Sequence, residues 1–194
     1  MGDPKKEKKK YSTPVHPWQR ERILQEKEII RDYGMKNKKE IWKIDSKLRA
    51  FKNQAKNYSF AEGRQADKQR ELFMQKLVKL GLLGPDSHID NVLGLEIKDI
   101  LERRLQTLIV RKGFASTMKQ ARQFIVHNHI SISEKKINVP GYLVKKEEEA
   151  NIKYAPTSSL AREDHPEITS IHNKKKEKKP RQEKTGRKKQ AMRR

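Results

Sequence analysis

Cationic and amide side chains recur over residues 104–123 at spacings that could bind a phosphate backbone. Arg104 and Arg111 are seven residues apart, and Lys119, Arg122 and Gln123 follow at i, i+3 and i+4 spacing. Guanidinium and ammonium groups pair with phosphates, and an amide can donate hydrogen bonds to phosphate or ribose oxygens. For any single cation, a solvated surface position is the commoner interpretation. Because these cations converge on one turn, we interpret them as a nucleic-acid-binding surface.

The helix that would carry both arginines is predicted by the apolar residues around them. Six of these residues recur at spacings of 3, 1, 4, 3 and 1, which form one helical stripe: Ile97, Ile100, Leu101, Leu105, Leu108 and Ile109. Arg104 and Arg111 lie almost two turns apart and would line one flank of that stripe. We therefore expect a single helix that buries its apolar side and presents both guanidinium groups.

A tight turn and a second helix are expected next. Gly113 suits the left-handed position that ends a helix, and Thr117 with Gln120 three residues later forms a capping-box pattern that starts one. The second helix would bury Ala121 and Ile125 and present its donors on another face. Alternation of apolar and polar residues then predicts two short, half-buried strands, at 130–133 and 137–139, and residues 152–154 are expected to add a third.

This helix-turn-helix followed by a small sheet resembles the RNA-binding domain named after ribosomal protein four of the small subunit. Two positions depart from the family pattern: Ser133–Lys136 replaces an Asn-Gly turn, and Asn128 replaces a glycine between two histidines. Asn tolerates a positive φ, so the second change is mild. Nearly the whole chain resembles the archaeal and eukaryotic branch of that ribosomal family, and most closely its archaeal members, in five further segments: Gly2–Lys5, His16–Trp18, Leu80–Leu83, Asp99–Thr107 and Tyr154–Ser158.

The resemblance implies an α+β fold and extends the set of RNA-facing residues. Carried over position by position, that set is Arg103, Arg104, Arg111, Lys112, Ser116, Thr117, Lys119, Gln120, Arg122, Gln123, His127, Asn128 and His129. Two roles stay open for His127 and His129, namely contact with RNA backbone or phosphate and structural capping of the sheet edge. Two histidines at i, i+2 could also bind a metal, but no third ligand is close in sequence and the chain has no Cys, so we expect no metal site.

The resemblance also implies a function. It indicates a structural constituent of the small ribosomal subunit that binds its rRNA directly, nucleates assembly of the subunit body and, with ribosomal protein five, contributes to translational accuracy. Other small-subunit proteins, and messenger RNA where it enters the subunit, would be further partners. The implied location is the cytoplasm, within the small subunit. Neither a cofactor nor a homo-oligomer is expected.

Composition independently favours a nucleic-acid partner. The chain has 47 Lys and Arg against 25 Asp and Glu, a formal net charge of +22, which a folded protein tolerates best beside a polyanion. Only 33% of residues are hydrophobic, which favours two modest cores over one large core. The lack of Cys excludes disulfides and Cys-ligated zinc. No apolar run reaches the roughly eighteen residues of a membrane span and no signal-peptide core is evident, so we expect an intracellular protein without a membrane partner.

Three helices are predicted before the RNA-binding block, and the first has only a weak apolar edge formed by Ile23, Ile29 and Ile30. The first runs over 19–33 and stops at Gly34, and the third runs over 64–80 and stops at Gly81. The second follows Asn37 and has the clearest apolar stripe: Ile41, Ile44, Leu48, Phe51, Ala55 and Tyr58. Of the two tryptophans that could stack on bases, Trp42 adjoins this stripe and is better explained by the core. Trp18 is the better stacking candidate.

Charge and periodicity divide the chain into five segments. Residues 1–18 form a basic amino-terminal arm, 19–100 a helical rRNA-binding subdomain, and 101–155 the RNA-binding domain. Residues 156–172 lack periodicity and are expected to be extended. Residues 173–194 carry twelve Lys and Arg against two Glu, which predicts a disordered basic tail that contacts RNA.

Other function classes compete with the ribosomal one. An RNA-modifying enzyme would need a catalytic domain, and the sequence has no Walker loop, no paired carboxylates on an apolar strand and no nucleophile elbow, so no enzymatic activity is expected. A DNA-binding helix-turn-helix regulator would place its second helix in the major groove. The strands that follow and the resemblance argue against DNA. A non-ribosomal RNA-binding protein stays as an alternative.

Overall fold

The computed structural model describes Gly2, residues 8–162, residues 165–167 and Thr169. These residues fall into two compact units. The helical unit is drawn from Met1–Arg104 and Leu143–Lys146, and the mixed unit from Leu105–Tyr142 and Glu147–Arg194. Helices together with a small antiparallel sheet confirm the predicted α+β class. Within the described part of the chain, no helix combines the length and the apolar character needed to cross a membrane.

The helical unit confirms the three predicted helices. Its elements are α1 (Arg20–Tyr33), α2 (Lys38–Phe60), α3 (Arg64–Lys79), a 3-10 helix (Ile89–Val92) and α4 (Ile97–Glu102). Gly34 and Gly81 follow α1 and α3 with φ of 56° and 69°. In both cases the amide after the glycine donates to the carbonyl five residues back, on Ile30 and Leu77. This bonding satisfies carbonyls that a helix end leaves open, and it requires the left-handed conformation that glycine adopts without strain.

Two apolar clusters hold the helical unit together. The larger cluster joins α2, α3, the 3-10 helix and α4 through seven buried residues: Leu48, Ala55, Phe73, Leu77, Val92, Leu95 and Ile100. The smaller cluster consists of Tyr33, Met35, Ile41 and Leu101. The predicted stripe of α2 supplies both clusters, because Ile41, Leu48 and Ala55 are all buried. Burial of each large aliphatic side chain contributes about 1.5–3 kcal/mol.

A buried carboxylate joins α1 to α2. Glu26 is 5% exposed and accepts hydrogen bonds from Arg22 at 2.6 Å and from the Trp42 indole at 3.0 Å, and Lys38 lies 3.1 Å away. Burial acts to raise the pKa of Glu26, but bonds from Trp42, Lys38 and Arg22 outweigh it and hold the pKa below the usual 4.5. Trp42 is half-buried and packs against the smaller cluster of this unit.

The structure corrects the expectation of one helix carrying both Arg104 and Arg111. α4 ends at Glu102, and the next helix begins at Leu105. Between them, the Arg103 carbonyl accepts from the Val144 amide at 3.0 Å, and Arg104 pairs with Leu143 in an antiparallel bridge. Backbone pairing with a segment some forty residues away interrupts the helix, and the spacing of apolar residues does not report such pairing.

The mixed unit contains helices and a three-stranded antiparallel sheet. Its elements are α5 (Leu105–Lys112), α6 (Met118–Val126), β1 (Ile130–Ile132), β2 (Lys135–Lys136), most of α7 (Lys146–Glu149), β3 (Ile152–Tyr154) and a 3-10 helix (Ser159–Ala161). The strand order is β2-β1-β3. The third strand is where the sequence predicted it, and the 3-10 helix falls within the segment expected to be extended.

The first hairpin differs from its prediction. β2 is Lys135–Lys136 and not 137–139, and β1 is buried throughout, with Ser131 only 3% exposed. Ile132 pairs with Lys135, so a two-residue loop at 133–134 sets the register. The positive φ of 55° at Ser133 is the first-position conformation of a type II′ turn, at which glycine is preferred.

Candidate nucleic-acid interface

The turn between α5 and α6 is a rigid scaffold. Leu105, Ile109 and Ile125 are fully buried, as expected for the residues that pack these two helices together. Gly113 takes a left-handed φ of 80°, and the Phe114 amide donates to the Ile109 carbonyl at 2.9 Å. The predicted helix end at this glycine is therefore confirmed.

An aromatic pair attaches the turn to β3. The rings of Phe114 and Tyr154 meet edge to face, with centroids 5.3 Å apart and planes at 81°. The Tyr154 hydroxyl donates to the Phe114 carbonyl at 2.6 Å. Burial raises the pKa of Tyr154 to about 12, so its hydroxyl keeps its proton and remains a donor at neutral pH.

Three of the predicted RNA-facing residues form the cap of α6. Thr117 Oγ1 accepts from the Gln120 amide at 3.2 Å, which confirms Thr117 as the N-cap. Gln120 Oε1 accepts from both the amide and the hydroxyl of Ser116 at 2.8 Å, one residue before the position that a capping box predicts. Gln120 Nε2 also donates to Glu167 at 2.6 Å. These side chains hold the turn, which limits what they can offer to a ligand.

The cationic residues of α5 and α6 stand at exposed or half-buried positions. Lys119 and Gln123 are exposed and Arg122 is half-buried, while Ala121 and Phe124 are buried. Arg111 is exposed in the last turn of α5. Residues 103–133 contain six Lys and Arg and no Asp or Glu. We call Arg111, Lys119, Arg122 and Gln123 the α5–α6 surface.

Lys112 has a structural partner. Its ammonium donates to the backbone carbonyl of Glu149 and lies 4.0 Å from the Glu149 carboxylate. It thereby attaches the end of α5 to α7, and its charge is partly neutralised there.

The residues 127–129 separate into different roles. Asn128 has a φ of 60°, and the His129 amide donates to the Phe124 carbonyl at 2.9 Å, so Asn128 ends α6 in the way a glycine would. His129 Nδ1 lies 2.7 Å from Ser158 Oγ, and its ring meets Phe124 edge to face. The geometry of His129 thus fits the structural role, whereas His127 is exposed.

Electrostatics near these histidines favour a neutral His129. Burial lowers the pKa of His129 below its usual 6.5, and the nearby His127 and His165 lower it further. Among the residues that the structure describes, no three His, Cys, Asp or Glu side chains are grouped to hold a metal ion.

Arg103 and Arg104 lie outside the mixed unit, and the expectation that Arg104 is exposed was wrong. Arg104 is 2% exposed, and its Nη2 donates to Glu40 Oε2 at 2.5 Å. Arg103 Nη2 donates to the Val144 carbonyl at 3.1 Å, and its guanidinium carbon lies 3.1 Å from where a Cβ on Gly81 would stand. Arg104 is held inside the helical unit because a carboxylate distant in sequence compensates its buried charge.

Two lysines that the sequence did not single out share one face of the sheet. Lys136 on β2 and Lys153 on β3 both stand opposite Ser131, and both are exposed. Directly paired residues of antiparallel strands point to the same face. This cationic row depends on strand register, and a sequence with two consecutive lysines does not indicate which of them joins the row.

Comparisons with known proteins bear on this surface. The S4 domain profile matches residues 103–149. The small ribosomal subunit protein uS4 of Methanococcus aeolicus is 51% identical over 170 residues, which cover 87% of this chain and 96% of that protein. The uS4 protein of Nanoarchaeum equitans is 47% identical over a match that covers 83% of this chain and 91% of that protein. The uS4 protein of Methanococcus maripaludis (strain C5) is also 47% identical, and the match covers 88% of this chain and 96% of that protein. This chain therefore belongs to the family of small ribosomal subunit protein uS4.

Proposed function

We propose that this protein is a structural component of the small ribosomal subunit and binds small-subunit rRNA directly. The observation that carries the proposal is the α5–α6 surface, a set of cationic and amide side chains on two helices that pack through buried residues and are joined by a capped turn. The S4 domain match over residues 103–149 and the uS4 relatives support it.

The surface suits recognition of RNA by shape and phosphate position. A-form RNA offers side chains few base edges in its deep major groove, so proteins bind it mainly through phosphates and 2′-hydroxyls. Arg111, Lys119 and Arg122 would pair with phosphates, while Gln123 and the exposed His127 would add hydrogen bonds. This function requires no bond to be made or broken, and we propose that the protein is not an enzyme.

Membership of the family supports proposals about finer aspects of the function. We propose that the protein binds early, nucleates assembly of the subunit body in the cytoplasm, and with ribosomal protein five contributes to translational accuracy close to where messenger RNA enters. The helical unit would provide a second rRNA contact. The basic tail at 173–194 lies outside the described residues, as do most of residues 1–7, and their proposed contacts with RNA rest on charge alone.

The test is a triple variant of the surface, with Arg111, Lys119 and Arg122 all changed to Gln. Affinity for small-subunit rRNA should fall, and the slope of log K against log salt should become shallower by about 3, because each lost phosphate contact removes about one unit of slope. Circular dichroism should show unchanged helix content, since exposed substitutions usually change stability by no more than about 0.5 kcal/mol each.

A matched control removes the same charge elsewhere. Changing Lys43, Lys47 and Lys56, three exposed residues of α2, to Gln lowers the net charge equally. This variant should lose clearly less affinity than the surface variant. Equal losses in both variants would show that binding does not depend specifically on the α5–α6 surface and would reject it as the specific site.

A further inference from the structure

Trp18 exposes an aromatic side chain that the fold does not use. Its exposure is 89%, and that of nearby Val15 is 87%. Tryptophan is normally well buried, because its large apolar area is costly to leave in water. Trp18 precedes α1, in the helical unit.

The backbone that carries Trp18 is held in place. Arg22 Nη2 donates to the carbonyls of His16 and Pro17 at 3.0 and 2.9 Å, directly before the tryptophan. The other end of the same guanidinium pairs with the buried Glu26 at 2.6 Å. The proline ring also fixes its own φ. Trp18 is therefore displayed on a rigid support connected to the interior of the helical unit.

The preceding segment is anchored as well. The Ser12 amide donates to Ser46 Oγ at 3.1 Å, and the rings of Tyr11 and Trp42 lie 6.2 Å apart. Contacts to α2 thus fix the chain before His16, and Arg22 fixes it at His16 and Pro17. An aromatic side chain on a fixed backbone loses little further conformational freedom when it binds a partner.

Charge indicates what kind of partner fits this side chain. Residues 8–22 contain five Lys and Arg and one Glu. A planar aromatic ring among cations matches a nucleic-acid strand, because the ring stacks on a base while the cations neutralise phosphates. An apolar pocket on a protein would gain from the indole but not from this charge.

We propose that Trp18 stacks on an unpaired base of RNA and that Arg22 is a positioning residue for this contact. The proposal rests on the proposed function, since it assumes that RNA is the partner, and it adds a site for a single-stranded segment in the helical unit. The two sites would recognise RNA differently: the α5–α6 surface would contact phosphates, and Trp18 would stack on a base.

The experiment measures binding of the full chain to small-subunit rRNA and to a single-stranded RNA oligonucleotide without self-complementary sequence. Trp18→Ala should weaken binding to the oligonucleotide about 5- to 150-fold, the range for loss of one base–aromatic stack. The salt slope should not change, because no charge is lost. Trp18→Phe should keep most of the affinity. Quenching of tryptophan emission by RNA should disappear in Trp18→Phe, which retains Trp42.

Two further variants sharpen the result. Phe60→Ala removes another exposed aromatic residue of the helical unit, 84% exposed at the end of α2, and should leave affinity unchanged. Arg22→Lys keeps the charge but loses the guanidinium fork that donates to two carbonyls. It should weaken oligonucleotide binding without changing the salt slope.

Specific outcomes would overturn the proposal. Wild-type affinity for RNA in Trp18→Ala, or full affinity in Trp18→Leu, which keeps an apolar side chain without an aromatic ring, would exclude stacking. If the wild-type chain binds rRNA and the α5–α6 variant is weakened while Trp18→Ala is not, only the stacking site is rejected. If the wild-type chain does not bind rRNA, both proposals fall.

Discussion

Two arginines seven residues apart occupy opposite environments. Arg104 is buried against Glu40, whereas Arg111 is exposed at the end of α5. The same type of side chain is therefore buried in an ion pair at one position and exposed to solvent at the other. The difference arises because the helix that would have placed both on one flank is interrupted between Glu102 and Leu105.

We expect the two arginines to respond oppositely to substitution. Arg104→Gln leaves the Glu40 carboxylate without the guanidinium and should reduce the free energy of unfolding by about 3–5 kcal/mol, toward the lower end because the Glu40 side chain keeps 23% exposure. Arg111→Gln should change it by no more than about 0.5 kcal/mol. Urea denaturation measures both values. Equal stability of the two variants would contradict the structural role of Arg104.

At the scale of elements, residues with a positive φ determine where several helices end. Gly34, Gly81 and Gly113 end α1, α3 and α5 with positive φ, and Asn128 does the same for α6. Asn bears this conformation better than other residues with a Cβ. Ser133 is the less favourable case, because a glycine would occupy its position in the hairpin loop with less strain.

The cap of α6 can be tested by a pair of substitutions. Thr117→Ala removes the oxygen that accepts from the Gln120 amide and should cost about 0.5–2 kcal/mol of stability. Thr117→Ser keeps that oxygen and should be close to wild type. Thermal unfolding followed by circular dichroism provides the comparison. If the Thr117→Ala and Thr117→Ser variants had the same melting temperature, the cap would not contribute to the stability of the fold.

At the scale of the whole molecule, His129 and Glu26 link folding to pH on the acidic side. The pKa of His129 lies below the usual 6.5, and that of Glu26 lies below the usual 4.5. In each case the unfolded chain binds the proton at a pH where the folded chain does not. The contribution of His129 to the free energy of unfolding is thus fully present above pH 6.5 and decreases as the pH falls toward the folded pKa of this histidine. The contribution of Glu26 decreases below pH 4.5.

We therefore expect the free energy of unfolding to decrease on acidification in two separate ranges. His129→Gln should reduce the loss of unfolding free energy just below pH 6.5 and leave the loss below pH 4.5 unchanged. Glu26→Gln should reduce mainly the loss below pH 4.5. Urea denaturation at a series of pH values resolves the two effects. An unchanged pH dependence in His129→Gln would show that burial of this histidine does not influence stability.

The sequence by itself determined the helices α1, α2, α3 and α6, the glycine ends of α1, α3 and α5 and the Thr117 cap, together with the α+β class and the family. These features depend on residues within a few positions of one another, where periodicity and capping act. The S4 domain match and the exposure of Lys119 and Gln123 on the face opposite Ala121 agree with that local reasoning. Which of these residues contact RNA remains a prediction.

Only the tertiary structure decided the interruption at Arg103 and Arg104, the place of β2, and the contact of His129 with Ser158. Each depends on a partner distant in the chain: Arg104 and Glu40 are 64 residues apart, and His129 and Ser158 are 29 apart. A buried guanidinium is stable only where a carboxylate reaches it, and a strand exists only where another offers hydrogen bonds. The spacing of residues along the sequence contains no record of such partners, so folding alone separates the buried arginine from the exposed one.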